Sequence, residues 1–588
     1  MKKSKALFYL VIFFSLTGVF IACSESKKDV NADADFDQYK EGFVLRLWEM
    51  NPWWASGSGY HKHDSVFIVP DKSRKKIEGQ FIQKELKELA SFQSEELSEA
   101  NQIDLKLIRN YLEGTAWEQQ VLRSWEWNPS NYNICGGFAE MLANNYAPLD
   151  ERLRNFSIRL KGVPAYYKAA KKNIKNPTIE HTQLAIEQNR GGVSVFTVDL
   201  PASLEKSTLS KTEKDELIKR SEAAQKAIND YADWLEKLPN PNPRSFRLGS
   251  KLYAQKFEYD IQSDNSAKEI YESALTHKKE LHQKMVKISR QIWKKHLGEK
   301  PMPADEYALV KQLIDQISLQ HTTPENFQKD IEKQIPELEK FVKTKNLIYL
   351  DPKKPLVVRK EPDYMAGVAG ASISAPGPYD KGGNTYYNVG SMNGWPADRS
   401  ESYLREYNDY VLQILNIHEA VPGHYTQLVY SNNSPSIIKS IFGNGAMIEG
   451  WAVYTELMML ENGYGASSGS ETSSPEMWLM YYKWNLRTTC NTILDYSVHN
   501  LNFTRDQALN LLVNEAYQQQ AEAEGKWKRA TLSQVQLCSY YTGFVEICNL
   551  RKELMKKEGK AFNLKAFHEK FLSYGSAPVR DIRKLMTN

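Results

Sequence analysis

The chain has 588 residues, with 76 Lys and Arg against 72 Asp and Glu, for a formal net charge of +4 at pH 7. So balanced a charge offers no electrostatic case for nucleic acid as a partner. Five cysteines (Cys23, Cys135, Cys490, Cys538 and Cys548) make no disulfide framework and do not pair at zinc-ribbon spacing. One bridge stays open to them in an oxidising periplasm.

The N-terminus opens on Met1-Lys2-Lys3-Ser4-Lys5, and an apolar run follows from Ala6 to Ala22. A short apolar stretch behind lysines, closed by a small residue, reads as a secretory signal over 1–22 rather than a membrane span. Its removal takes Lys2, Lys3 and Lys5 and leaves a net charge of +1. The ending Phe20-Ile21-Ala22-Cys23 resembles the bacterial lipoprotein signal, with Phe20 where Leu is usual. That resemblance implies a lipid on Cys23 as the new N-terminus and a chain anchored to the membrane of the bacterial cell envelope, on the periplasmic side or the outer surface. Residues 23–37 are polar and charged and read as a flexible tether.

No linker rich in Gly, Ser or Pro divides residues 38–588, and no internal repeat is present. The stretch reads as one large, mostly helical domain, with 346 as the place where two lobes would meet. Lys75 to Leu112 carries apolar residues three and four apart, broken near Ser94. Ser266-Ala267-Lys268-Glu269 is a capping box that opens a long helix, ended by Gly298 and Pro301. Thr323-Pro324 predicts the start of another. His61 and His63 lack a third local ligand and read as a polar loop. Strand signals gather at Leu356-Val357-Val358, Ala371 to Ser374 and Thr385 to Val389. The small residues Gly370, Ala371 and Ser372 suit close approach of a substrate backbone to a strand edge.

Next comes Tyr410 to Ile417, apolar at helical spacing, leading into His418-Glu419-Ala420-Val421-Pro422-Gly423-His424. A helix turns about 100° per residue, so imidazoles six apart would face different ways on an unbroken one. Pro422 cannot donate to the carbonyl of His418 and crowds it, so the helix must bend or stop. Gly423 then allows the chain to swing His424 back. Glu449 and Glu456 lie seven apart on the following helix; one of them suits a metal ligand, the other a partner that orients a histidine. Two His and one Glu leave a coordination position open, as catalytic zinc requires.

His418 to His424, followed by Glu449-Gly450-Trp451-Ala452-Val453-Tyr454, resembles the bacterial "domain of unknown function 885" family, which is grouped with the gluzincin metallopeptidases. The resemblance implies a helical gluzincin-like fold with a small sheet beside the metal helix and a deep cleft. It also implies zinc on His418, His424 and Glu449, with Glu419 as general base. Asn51-Pro52 to Asp64 and the run from Asp104 to Leu112 are similar to the family's N-terminal signatures, so the resemblance reaches nearly the whole mature chain.

Gly465 to Gly469 fits the G-x-S-x-G pattern of serine hydrolases, but no strand precedes it and the nucleophile-elbow context fails. Asp495 and His499, four apart, resemble the family's acid-and-histidine pair. Arg529, Gln536, Tyr540 and Gly543 match its C-terminal positions, although Gln534-Val535 stands where Pro-Gly is usual. A Tyr hydroxyl or guanidinium near zinc suits an oxyanion; by that register Tyr540, with Arg529 or His499, takes the role rather than Tyr541. The expected activity is zinc-dependent hydrolysis of peptide bonds by a lipoprotein, and the alternative is a peptide-binding lipoprotein that kept the fold without catalysis. Peptide preference, endo- or exopeptidase action and oligomeric state are not legible in these residues.

Overall fold

A computed structural model of the protein describes residues 31–361, 371–380, 382–467 and 469–587. The signal, Cys23 and Gly370 lie outside the described residues. The chain is mostly helical with one three-stranded sheet. Among the described residues no helix is long and apolar enough to cross a membrane, and Cys135, Cys490, Cys538 and Cys548 are free and buried.

The first helix, Ala32–Met50, starts inside the stretch that reads as tether. Asn31 caps it, and Asp33 accepts hydrogen bonds from Ser98 and Asn101. Phe36 is fully buried beneath it. These contacts pull residues 32–37 into the fold, so any tether ends at about residue 31. The capping box at Ser266 and Glu269 is present and opens the helix Ala267–Leu297, which stops at Gly298 with φ +60°. The helix expected from Pro324 begins instead at Phe327, because a turn closed by Asn326 N–H on the Thr323 carbonyl occupies the first residues.

Residue 346 marks no boundary. Val342, Leu347 and Ile348 belong to one apolar core that also holds Phe36, Trp48, Ile417 and Phe571. A separate core lies between Tyr132 and Leu235, built on Phe138, Phe156, Tyr167 and Tyr231.

The sheet has the order β1-β3-β2, with β1 (Leu356–Lys360) parallel to β3 (Thr385–Val389) and β2 (Ala371–Ser374) antiparallel to it. It lies beside the helix Asp409–Glu419: Tyr387 of β3 donates from its hydroxyl to Asn416 Oδ1 at 2.8 Å, two residues before His418. Among the described residues β2 is an edge strand, paired with β3 alone.

Candidate metal centre

The helix Asp409–Glu419 is capped by Asn408, whose side chain accepts from Tyr410 N–H and Val411 N–H. Val411, Leu412, Ile414 and Ile417 bury its apolar positions. It stops at Glu419, and the next helix, His424–Asn432, starts on His424 itself. Between them the chain doubles back tightly, with Gly423 N–H donating to the Ile417 carbonyl at 3.0 Å. Gly423 sits at φ −75°, and what demands glycine there is space. A Cβ at this position would lie 1.8 Å from the His418 oxygen and 2.4 Å from that of Ile417. Trp451 Nε1 donates to the Pro422 carbonyl at 2.9 Å and ties the reversal to the helix Gly445–Glu461.

That helix delivers both candidate carboxylates, and the structure places them on different sides of His418. Among the described residues, the ligand atoms of His418, His424 and Glu449 all lie within 4.8 Å of one another. Glu449 Oε2 is 3.7 Å from His418 Nε2 and 3.4 Å from His424 Nε2. Zinc at bond lengths of 2.0–2.1 Å in a tetrahedron separates its donors by about 3.3 Å, so the donor set and its spacing fit that ion. Glu456 stands behind: its Oε1 accepts from His418 Nδ1 at 2.7 Å and from Trp484 Nε1 at 2.9 Å. This fixes the ring so that Nε2 faces the cluster, the usual arrangement behind a metal-binding histidine. The side chains of His424 and Glu449 keep 12% and 18% of their exposure, so solvent reaches the centre.

The charges are strongly perturbed. Burial alone would lower the His418 pKa, but the contacts with Glu449 and Glu456 outweigh it and raise it to about 10. Glu449 goes the other way: burial opposes its charge, and the two imidazoles hold it well below the usual carboxylate range. Burial raises Glu419, with the two histidines opposing. Among the described residues no hydrogen bond occupies the Glu419 carboxylate.

Tyr540 reaches the centre through a close helix crossing. Gly450 packs on Gly543 of the helix Cys538–Glu558; a Cβ on Gly450 would meet the Gly543 backbone at 2.3 Å, and one on Gly543 would meet the Ala446 oxygen at 1.7 Å. One turn before that contact, the Tyr540 ring stacks near His418 at 6.4 Å between centroids. Arg529 donates from Nη2 to the Tyr540 hydroxyl at 3.0 Å and to Gln536 Oε1 at 2.7 Å. Burial pushes the Tyr540 phenol up to about 12. Tyr541 turns away and pairs with Ser273.

His499 is employed elsewhere. Its Nε2 lies 3.0 Å from the Ala530 carbonyl and 3.3 Å from that of Ser533, and its ring stacks on Tyr253. Asp495 Oδ1 accepts from the Tyr253 hydroxyl at 2.8 Å and from Val535 N–H at 3.0 Å. Val535 has φ +71°, a region that disfavours a β-branched residue and suits the glycine usual at this position in the resembled family. The pair therefore clamps the segment joining Arg529 to Tyr540. That is a positioning role, and it removes His499 from the oxyanion candidates.

Three expectations concern residues away from this cluster. Ala371 and Ser372 lie on edge strand β2, where Ser372 pairs with Asn388. Ser467 sits exposed in a turn region with Gly465 at φ +73°, unlike a nucleophile elbow. His61 stacks on Tyr146 and contacts Asp64, while the His63 carbonyl accepts from Arg159. The residues that sequence reasoning missed are Trp484, Arg487, Glu522 and Lys526. Their one signal is the spacing of Glu522, Lys526 and Arg529 on one helix face.

Residues 52–586 match the family described as "Bacterial protein of unknown function (DUF885)". A solved structure of a candidate lipoprotein of unknown function from Shewanella oneidensis is 52% identical, superposes with a TM-score of 0.83, and covers 94% of this chain and 100% of its own. A candidate lipoprotein from Colwellia psychrerythraea shares the fold at 16% identity and a TM-score of 0.77, over 95% of this chain and 98% of its own. No curated protein matches the chain.

Proposed function

This chain belongs to the DUF885 family, bacterial proteins of unknown function, so its activity has to be argued from its own site, and we propose that it is a gluzincin-like zinc metallopeptidase. The observation that carries the reading is the triad of His418, His424 and Glu449 at zinc-ligand spacing, with a free carboxylate on Glu419 beside it. Bound there, zinc supplies a Lewis acid for a peptide carbonyl and makes a water more acidic. Glu419 takes a proton from the attacking water and passes it to the amine nitrogen as the carbon–nitrogen bond breaks. Tyr540, with its hydroxyl held by Arg529, donates to the oxygen on which negative charge develops. Ala371 and Ser372 on the edge strand β2, with Gly370 next to them in the sequence, accept the substrate as an added strand.

Glu419→Gln keeps the shape of the residue and removes its basicity at neutral pH. Hydrolysis of a peptide library should fall by about 10²–10⁴-fold, while zinc content by atomic absorption stays at the native level. If the native protein loaded with zinc cleaves no peptide, the reading gives way to a peptide-binding protein on the same fold. If the variant keeps full activity, the base is another group.

The relatives described as candidate lipoproteins support an anchor at Cys23 in the cell envelope. Cys23→Ala should move the protein from the membrane fraction to the soluble one. A variant that remains with the membranes would defeat that part of the proposal.

A further inference from the structure

Beside the metal centre the chain buries more positive than negative charge. The helix Gln520–Leu532 presents Glu522, Lys526 and Arg529 on one face, at spacings of four and three. Opposite it, Arg487 from the helix Pro475–Asn500 donates to Glu522 at 2.5 and 3.0 Å. The same Glu522 oxygen is the ion-pair partner of Lys526, at 3.8 Å. Arg529 has neutral partners, Gln536 and Tyr540. Thus the three cations have one directly paired carboxylate, Glu522, among the described residues. The nearby pair of Lys483 and Glu406, 2.6 Å apart, is matched within itself and contributes no balance.

Burial makes this arrangement costly. Lys526 is 4% exposed, and the Arg487 and Glu522 side chains are 14% and 18% exposed. A charge removed from water without a partner costs several kcal/mol by order of magnitude. Zinc does not call for all of these cations: a divalent ion matches two of the three charges of Glu419, Glu449 and Glu456, and the carboxylate left over together with Glu522 balances two of the three cations. They also border the reacting groups directly: Arg529 holds Tyr540, and the Arg487 guanidinium lies 4.4 Å over Trp484, the residue that donates to Glu456.

We infer that Arg487, Lys526 and Arg529 form a binding site for a carboxylate of the substrate, supplied by the free C-terminus of a peptide. This rests on the peptidase reading and deepens it, since it makes the protein act near the C-terminal ends of chains. An acidic side chain carries the same group, and the test separates the two sources.

The test uses an N-acetylated peptide that the native zinc protein cleaves, prepared in three forms: with a free C-terminal carboxylate, as the C-terminal amide, and as the amide with Glu replacing the last residue. The free acid should exceed the plain amide in kcat/KM by about 10- to 100-fold, the scale of charge-assisted hydrogen bonds. Recovery of cleavage by the Glu-containing amide would assign the carboxylate to a side chain and keep the site. Lys526→Met should bring the ratio of acid to amide toward one. Binding of the same acid and amide to zinc-loaded Glu419→Gln protein, by titration calorimetry, reads the preference without catalysis. Equal cleavage and equal binding of acid and amide overturn the inference and leave the peptidase reading intact. No cleavage of any form, with the acid still bound more tightly than the amide, defeats the peptidase reading and leaves the carboxylate site standing.

Discussion

At His418 and His424 the two rings stand 4.7 Å apart and nearly perpendicular, with ring nitrogens turned toward Glu449. At His499 the ring nitrogen is spent on the backbone carbonyls of Ala530 and Ser533, and the neighbouring Asp495 is spent on Tyr253 and Val535. Both places set buried imidazole near buried carboxylate, yet they are built for opposite ends. In the first, Glu449 Oε2, the oxygen that faces both imidazoles, has no hydrogen-bond partner among the described residues, and the cost of such an orphan group is met when a ligand arrives. In the second, His499 Nε2 and Asp495 Oδ1 close on the chain itself and hold a strained turn in place, while His499 Nδ1 and Asp495 Oδ2 are left without a hydrogen-bond partner among the described residues. Composition alone does not tell a centre from a clamp; what the nitrogen atoms face does.

The largest expected effect tests the clamp. Asp495→Ala strips the acceptor from the Tyr253 hydroxyl and from Val535 N–H, both buried, and frees a β-branched residue from a conformation it disfavours. The Val535 N–H is abandoned and the Tyr253 hydroxyl keeps only Cys538 Sγ at 3.1 Å, which together cost about 2–4 kcal/mol of stability, measurable as a lower denaturation midpoint. Zinc affinity, measured on the folded variant, should change little. A tenfold loss of zinc there would show that the clamp belongs to the centre.

Next in size is the support behind the centre. Glu456→Gln keeps the volume of the side chain but weakens the acceptor that orients His418. Loss of such support lowers metal affinity by about 10- to 100-fold, to be read by competition with a chromogenic chelator. Unchanged affinity would mean that Trp484 and packing alone aim the ring, and the contrast between the two places would lose its physical basis.

The grouping of His418, His424 and Glu449 is legible in the sequence because its parts are local: two histidines around a proline and glycine, and an acid on the following helix. The break at Pro422 is equally readable. The need for glycine at 423 is not, since it comes from carbonyls folding back against its Cα. The role of Asp495 and His499 stays hidden because their partners are distant: backbone atoms 31 to 40 residues along the chain, which no side-chain pattern marks, and Tyr253, 242 residues before Asp495. The cationic wall escapes for a related reason. Lysine and glutamate at helical spacing ordinarily read as a solvated face, and only the packing of the Pro475–Asn500 helix against it reveals burial. In the fold, the polar composition of residues 32–37 conceals a helix start whose anchors are Asn31, Asp33 and Phe36. The second apolar core, between Tyr132 and Leu235, leaves no linker to announce it.

A third buried ring gives the smallest effect and a control for the comparison. His568 is fully buried, with Nδ1 2.8 Å from the Leu347 carbonyl and Nε2 2.8 Å from the Tyr454 hydroxyl. The carbonyl can only accept, so Nδ1 carries the proton and Nε2 accepts from tyrosine, which makes the ring neutral. Burial depresses its pKa from the ordinary 6.5 to about 4. The unfolded chain therefore takes up the proton first as pH falls, and the stability due to this residue is lost between about pH 6.5 and 4. From pH 7 to pH 5.5 the loss amounts to about 1 kcal/mol at 1.4 kcal/mol per pH unit. Urea unfolding at the two pH values, for the native protein and for His568→Gln, isolates it as the difference in pH dependence. Equal dependence in both proteins would mean that folding leaves the pKa of His568 where it stands in the unfolded chain, and burial would not be what sets its charge.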